Sequence, residues 1–450
     1  MNTALNRSLL DGFSTDELDR IARETGFTKR KSKVTPSAFF DLLMFDVGSG
    51  GSKSLQQISI EAISEHNIDV SKQGVDKRFN ECAIDFLKRL MEKQLSVEMS
   101  EQIDVGWLHY FNRVLIKDGT RFDIREAYKL FFPGSGGSAS EAGACIQFEF
   151  DLKSGLINHL GITPSRRPDI RDTLDGLDNI QSGDLVIRDL GYYSYKSFED
   201  ISKKGAFYIS RFVPKGTAYE KIDDQLRKIE FKPIYQYMRK HKLSRMCKDV
   251  YIGTKEKFNV RMIIELMPDE VYEQRMRKIE KAHQKKGHKT SDEYKFISRF
   301  NIFITNVQNE ILPDNVISSL YRMRWQVEII FKVFKSVFGV HQYHSMKYIR
   351  WLCLLHFKLL IIILNWNIVM TRRSYLYKKS SKLLSVLKCF RSLFDNHHRL
   401  RRAIKRGKSE MRKFLIWTEK ILSRNHWLED KKTMSLSKIF EYNNLEITSI

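Results

Sequence analysis

Asp118 and Asp189 each follow a short hydrophobic run, VLIK and LVIR, and Glu328 is the one acid in YRMRWQVEIIFKVFK, Tyr321 to Lys335. Each run reads as a strand ending in its aspartate, and strand ends are where α/β folds place chemistry. Taken singly, an aspartate after a strand is an ordinary turn former. Three carboxylates converging in a cleft would repel one another unless a cation neutralised them. Hard divalent metals bind such oxygens and leave positions for water and phosphate. Two such ions can activate an attacking hydroxyl and stabilise the departing oxygen of a phosphodiester.

The segment carrying Glu328 has no Pro or Gly, and its apolar residues recur every three or four positions, so it reads as one helix. Tyr321, Arg324, Glu328, Lys332 and Lys335 share one narrow polar stripe. The rest of the wheel, Met323, Trp325, Val327 and Phe331 among it, is greasy, so the helix should be buried on most sides. The bland alternative is a solvated stripe of i,i+4 ion pairs among Arg324, Glu328 and Lys332, each contributing a few tenths of a kcal/mol. With metals in place, Arg324 and Lys335 would face phosphate.

The elements around these residues follow from local signals. Ser14 to Glu17 is a capping-box pattern, and Thr35 with Pro36 opens a second helix. SLQQISIEAISEHNIDVSKQGVDKRF looks like two short helices about a turn at His66 to Val70, compatible with helix-turn-helix. Its second helix would display Lys72, Gln73, Lys77 and Arg78, side chains suited to phosphates and base edges. From Phe111 the texture turns to β: VLIKDGT, a Gly-rich loop, the alternating CIQFEFD, and SGLINHLGIT. Helix and strand then alternate as PDIRDTLDGLDNIQ, DLVIRDLG, YSYKSFEDISKK and AFYISRF, the pattern of an α/β or mixed-sheet domain. Residues 213–300 read as an insertion with strands at DVYIG and FNVRMIIELM and a charged helical stretch. NIFITNV returns to β, Pro313 and Asp314 open the Glu328 helix, and the remainder is helical and basic.

The chain has 450 residues with 77 Lys plus Arg against 54 Asp plus Glu, a net charge of +23. Thr371 to Ile450 holds 20 basic and 7 acidic residues, so 20 − 7 = +13 of that excess lies in the tail. Such a field attracts polyanions by releasing their counterions, so nucleic acid or an anionic membrane surface is the natural partner. The 5 cysteines are scattered without a CxxC or Cys/His cluster, which argues against zinc and a disulfide framework and for a reducing compartment. No secretory signal is readable at the N-terminus. WLCLLHFKLLIIILNWNIVM, Trp351 to Met370, is long enough to span a bilayer. Lys358 and His356 near its centre are costly in hydrocarbon, and the segment is expected to be a buried core helix.

The spacing Tyr321, two residues, Arg324, three residues, Glu328, six residues, Lys335 resembles the YREK signature of insertion-sequence transposases of the family numbered four, in the DDE superfamily. ITN before the helix, RWQVE and FKVFKS within it, DGT at Asp118 and DLGYYS at Asp189 are also similar. The resemblance implies an α/β fold with an RNase H-like catalytic core interrupted by a mainly β insertion, flanked by helical N- and C-terminal regions. It implies that Asp118, Asp189 and Glu328 hold two Mg²⁺ or Mn²⁺ ions, and that Tyr321, Arg324 and Lys335, with Lys332 beside them, contact DNA phosphates. The expected segments are 1–108, a helical region with possible DNA contact at Lys72, Lys77 and Arg78; 109–212 and 301–345, the two parts of the core; 213–300, the insertion; and 346–450, the basic helical region for DNA contact or dimerisation. In the insertion, Tyr235, Tyr237, Arg239 and Lys240 are candidates for positioning DNA. Expected partners are double-stranded DNA, both element ends and target, and a second copy of the chain in the DNA complex, with no membrane and no small-molecule substrate. The expected location is the bacterial cytoplasm. The alternatives are an RNase H-like nuclease or resolvase without strand transfer, a DNA-binding protein without turnover, and a membrane-surface protein.

Overall fold

The computed structural model describes residues 10–30, 32–47, 53–97, 102–103, 106–136, 140–285 and 287–428. Its strands in chain order are β1 (Val114–Asp123), β2 (Gly143–Asp151), β3 (Ile157–Pro164), β4 (Leu185–Arg188), β5 (Phe207–Arg211), β6 (Ala218–Ile222), β7 (Gln225–Lys228), β8 (Arg245–Ile252), β9 (Phe258–Leu266) and β10 (Phe300–Thr305). With the helices between and after them, this is a mixed α/β protein. The chain divides into two compact units. One holds the described residues of Gly119–Arg166, Gln326–Glu441 and the N-terminal 104 positions; the other holds those of 105–118 and Arg167–Trp325.

In the second unit the strands lie in the order β1-β4-β5-β10-β9-β8-β6-β7. β1 and β4 are parallel with Lys117 opposite Arg188, and β4 and β5 are parallel with Ile187 opposite Ile209. β10 then enters antiparallel to β5 and pairs with β9 from Phe300↔Leu266 to Thr305↔Arg261. Leu115, Val186 and Tyr208 share one apolar cluster with Val260, Met262 and Ile264. The segment 213–300 therefore continues the same sheet and core. It is less purely β than its sequence suggests, because helices Phe231–Lys240, Asp269–Lys285 and Asp292–Ile297 alternate with its strands.

The other unit is built around the helix Tyr348–Ser380, whose apolar run is almost entirely buried. Trp366 donates its Nε1 proton to the Gly155 carbonyl at 2.6 Å and packs on Phe148 and Phe150. Gly155 closes the β2–β3 hairpin at φ +78°, and a Cβ there would stand 2.8 Å from Met370 Cβ. Only glycine satisfies both the left-handed turn and that approach. The β2 residues CIQFEFD are buried on both faces, not alternately, because this helix covers one of them. The stretch long enough to cross a membrane is thus a core helix, 94% of its most apolar window being buried within the protein.

The N-terminal helices start where their caps place them. Ser14 accepts the Glu17 N–H and opens Thr15–Glu24. Ser54 and Gln57 form a reciprocal capping box before Leu55–His66. The following helix, Lys72–Asp76, has only 5 residues. Lys72, Gln73 and Lys77 are exposed, but Arg78 is turned inward, its guanidinium 3.9 Å from the centre of the Phe27 ring. The display expected of Arg78 is corrected by that stacking.

Candidate active site

Because Lys117 and Arg188 face each other across β1 and β4, the next residues, Asp118 and Asp189, emerge side by side. Both Lys117 and Arg188 are buried, and Lys117 Nζ forms an ion pair with Asp172, also buried. The residues on either side of the cleft floor therefore anchor the strands. The two aspartates point the other way, with side chains 20% and 44% exposed.

Asp118 is not at a strand end. β1 continues to Asp123, with Gly119 lying beneath the Gln147 and Cys145 side chains of β2. The pairing with β4 ends at Lys117 while the strand runs on to Asp123, and the apolar run VLIK marks the paired stretch rather than the whole strand. Asp189 does stand at the end of β4, before the short 3₁₀ turn Leu190–Tyr192, and its carboxylate makes no capping bond to that turn. The turn-former role leaves it unexplained.

The basic segment expected as one helix is two. Asp314–Arg322 ends in a tight turn in which Met323 N–H donates to Leu320 O and Arg324 N–H to Tyr321 O, and Trp325–Ser336 begins immediately after. These are i→i−3 bonds, a 3₁₀ tightening that resets the helical phase without Pro or Gly. Tyr321 therefore lies on the first helix, Arg324 in the turn, and Glu328, Lys332 and Lys335 on the second helix. Trp325, assigned to the buried side by the single-helix wheel, is 64% exposed.

The break places Arg324 against both aspartates. Its Nη1 donates to Asp118 Oδ2 at 2.7 Å, and its Nε lies 4.0 Å from Asp189 Oδ1. Tyr321 donates its hydroxyl to the same Asp189 oxygen at 3.1 Å. Burial, with the Asp189 charge adding to it, pushes the Tyr321 phenol well above its ordinary value, so it remains a donor. The hard oxygens of the aspartates suit a hard divalent cation, and the guanidinium against both of them marks a place that favours positive charge.

Glu328 occupies the first turn of Trp325–Ser336 and is exposed, as is Lys332. Lys335 donates to the Arg121 carbonyl of β1 at 3.0 Å. These three, with Lys72 and Lys77, belong to the unit of the long helix, whereas Asp118, Asp189, Tyr321 and Arg324 belong to the other. Among the described residues no three His, Cys, Asp or Glu side chains are gathered closely enough to hold a metal ion. The structure brings together two acids, one guanidinium and one phenol. Sequence reading missed the Lys117–Asp172 pair beneath them; a lysine inside an apolar strand run was its only local signal.

The family described as the Transposase DDE domain matches residues 109–366. The chain belongs to the DDE transposases, enzymes that cut DNA and transfer its strands and whose domains generally use divalent metal ions. Within them it falls among the insertion-sequence transposases. It is 31% identical to the transposase for insertion sequence element IS231C of Bacillus thuringiensis subsp. berliner, over 95% of this chain and 94% of the relative. The transposase for IS231B of the same organism is 30% identical over 95% and 93%, and that for IS1151 of Clostridium perfringens 28% over 90% and 88%.

Proposed function

We propose that this protein is a cut-and-paste transposase whose RNase H-like core uses Asp118, Asp189 and Glu328 as its acid triad. The observation that carries the reading is the pair of aspartates on adjacent parallel strands, with Arg324 against both. Two Mg²⁺ or Mn²⁺ ions on these acids would supply an activated hydroxyl and charge neutralisation at the leaving oxygen. Arg324, with five donors in a planar fork, exchanges its aspartates for a DNA phosphate when one arrives. Tyr321 keeps Asp189 oriented through its phenol, and Lys335 and Lys332 add positive charge along the backbone. Water first frees a 3′ hydroxyl at the element end, and that hydroxyl then attacks the target strand.

In the same reading Lys72, Lys77 and the basic helices after Thr371 bind DNA phosphates, and two copies of the chain assemble on paired ends in the bacterial cytoplasm. Arg78 supports the packing of that region instead. The test is an end-labelled cleavage and joining assay on the DNA flanking the gene, with and without Mg²⁺, comparing the native chain with Asp118→Ala and Glu328→Gln. Metal-dependent nicking and joining lost in both variants is the expected result. Cleavage without joining would favour a plain nuclease, and retained activity in Glu328→Gln would refute its metal role.

A further inference from the structure

Arg261 is 8% exposed, a charge carried inside the protein by β9. The register sets it opposite Thr305 of β10, whose chain runs on through residues 306–313 into the helix Asp314–Arg322. Its guanidinium forks onto that connection. Nη1 donates to the Val307 carbonyl at 2.9 Å and Nη2 to the Leu312 carbonyl at 2.5 Å, so one rigid plane ties both ends of the loop. The same Nη2 lies 3.7 Å from Asp314 Oδ1, in the first residue of the helix. Val307 and Leu312 are both buried. Hydrogen bonds from a charged donor are among the stronger ones, and losing this donor would leave two buried carbonyls unmet.

The helix depends on such a hold, because its N-cap, Pro313, makes no side-chain bond to the first turn. β5 fixes the beginning of the loop, where Asn306 Oδ1 accepts the Tyr208 N–H at 2.9 Å and the Thr305 hydroxyl donates to the Tyr208 carbonyl at 2.6 Å. Arg261 fixes its end. The 9 residues of the helix then lead to Tyr321, on Asp189, and to the turn that carries Arg324, on Asp118. A hydrogen-bonded helix moves as a body, so a shift at Asp314 is passed to both of those contacts. Displacement of about 1 Å at a reacting centre is enough to slow catalysis strongly. We propose that Arg261 is a positioning residue: from the 213–300 segment it sets where Tyr321 and Arg324 stand against the aspartates. The inference rests on the transposase reading for the reaction it serves. Lysine would keep the charge but not the planar fork that spans two carbonyls.

The test follows Mg²⁺-dependent cutting of the gene-flanking DNA by the full chain in excess, so that each duplex is cut once. Arg261→Lys should lower the rate constant about 10²-fold, with the fraction of DNA cut and the protein concentration for half-maximal rate unchanged. Asp314→Asn, which keeps the shape and removes the ion pair, should slow cutting about threefold and serves as the same test if Arg261→Lys does not fold. In an Arg324→Ala background the Arg261 change should cost no more than about twofold, the non-additivity of residues that act through one another. A smaller cut fraction at an unchanged rate, or full additivity with Arg324→Ala, would overturn the proposal. Hydrogen exchange supplies a readout that needs no cutting. Peptides spanning 314–324 should exchange faster in Arg261→Lys while peptides remote from the loop stay native, and native exchange throughout would also overturn it. The two readings separate cleanly: faster exchange in a chain that cuts no DNA removes the reaction and leaves the tether, whereas native cutting with an unaltered rate in Arg261→Lys removes the positioning role alone.

Discussion

Arg324 and Lys358 are both cations withdrawn from water, but their company differs. The Arg324 side chain is 12% exposed and lies between two carboxylates. Lys358 is 2% exposed, its ammonium donating to the Gly339 and Gln342 carbonyls at 2.6 and 3.0 Å and sitting 4.1 Å from the centre of the Tyr343 ring. Among the described residues only neutral groups meet it, and desolvation pushes its pKa down to about 8. A guanidinium between carboxylates can trade them for another anion or yield them to another cation. An ammonium tied to backbone carbonyls has nothing to trade and fixes the geometry of the chain. The first arrangement suits chemistry and the second suits architecture.

The sharpest break of this comparison is at the carboxylates. Asp118→Asn or Asp189→Asn should reduce metal-dependent cleavage by at least about 10³-fold, as loss of a central catalytic group does. The melting temperature should change little, because asparagine keeps the shape of each side chain and an oxygen to accept from Arg324 or Tyr321. A variant that cuts normally would move the chemistry elsewhere. Arg401 provides a control of the same pair type in a structural setting. It makes two hydrogen bonds to the buried Asp41, at 3.0 and 2.8 Å, tying the helix His397–Arg406 to Pro36–Val47. Arg401→Ala should cost about 3 kcal/mol of unfolding free energy in denaturant titrations.

Lys358 should reveal itself through pH. Its folded pKa of about 8 lies below the ordinary 10.5, so between those values the unfolded chain holds a proton that the folded chain has released. Stability therefore rises with pH across that window and is lost as pH falls through 8. Relative to Lys358→Met, the native chain should gain about 3 kcal/mol between pH 8 and 10.5. Parallel pH profiles would show that the carbonyls compensate fully for burial. The smallest effect is expected at Tyr321→Phe, which deletes the bond to Asp189 and should slow cleavage about tenfold without altering DNA affinity. A loss of affinity instead would assign Tyr321 to phosphate binding.

Much of the fold was readable because its signals are local. Ser14, Thr35 and Pro313 mark helix starts, and the apolar runs before Asp118 and Asp189 mark strands. The misses arise where a distant partner decides. Nothing near Asp118 announces that its strand runs on to Asp123, past the stretch paired with β4. Nothing in MRW announces a 3₁₀ break, since no helix breaker is present. Arg78 looks like a DNA contact until Phe27, 51 residues earlier, supplies a ring for it.

The sequence by itself determined the acids, the YREK spacing and the family, because residue identity and separation along the chain are written in it directly. Tertiary structure alone decided that Asp118 and Asp189 share Arg324, a residue 206 positions beyond the first of them. That meeting depends on the β1–β4 register and on the turn at Met323–Arg324. Both are set by how strands and helices pack, and neither can be read from any one of them.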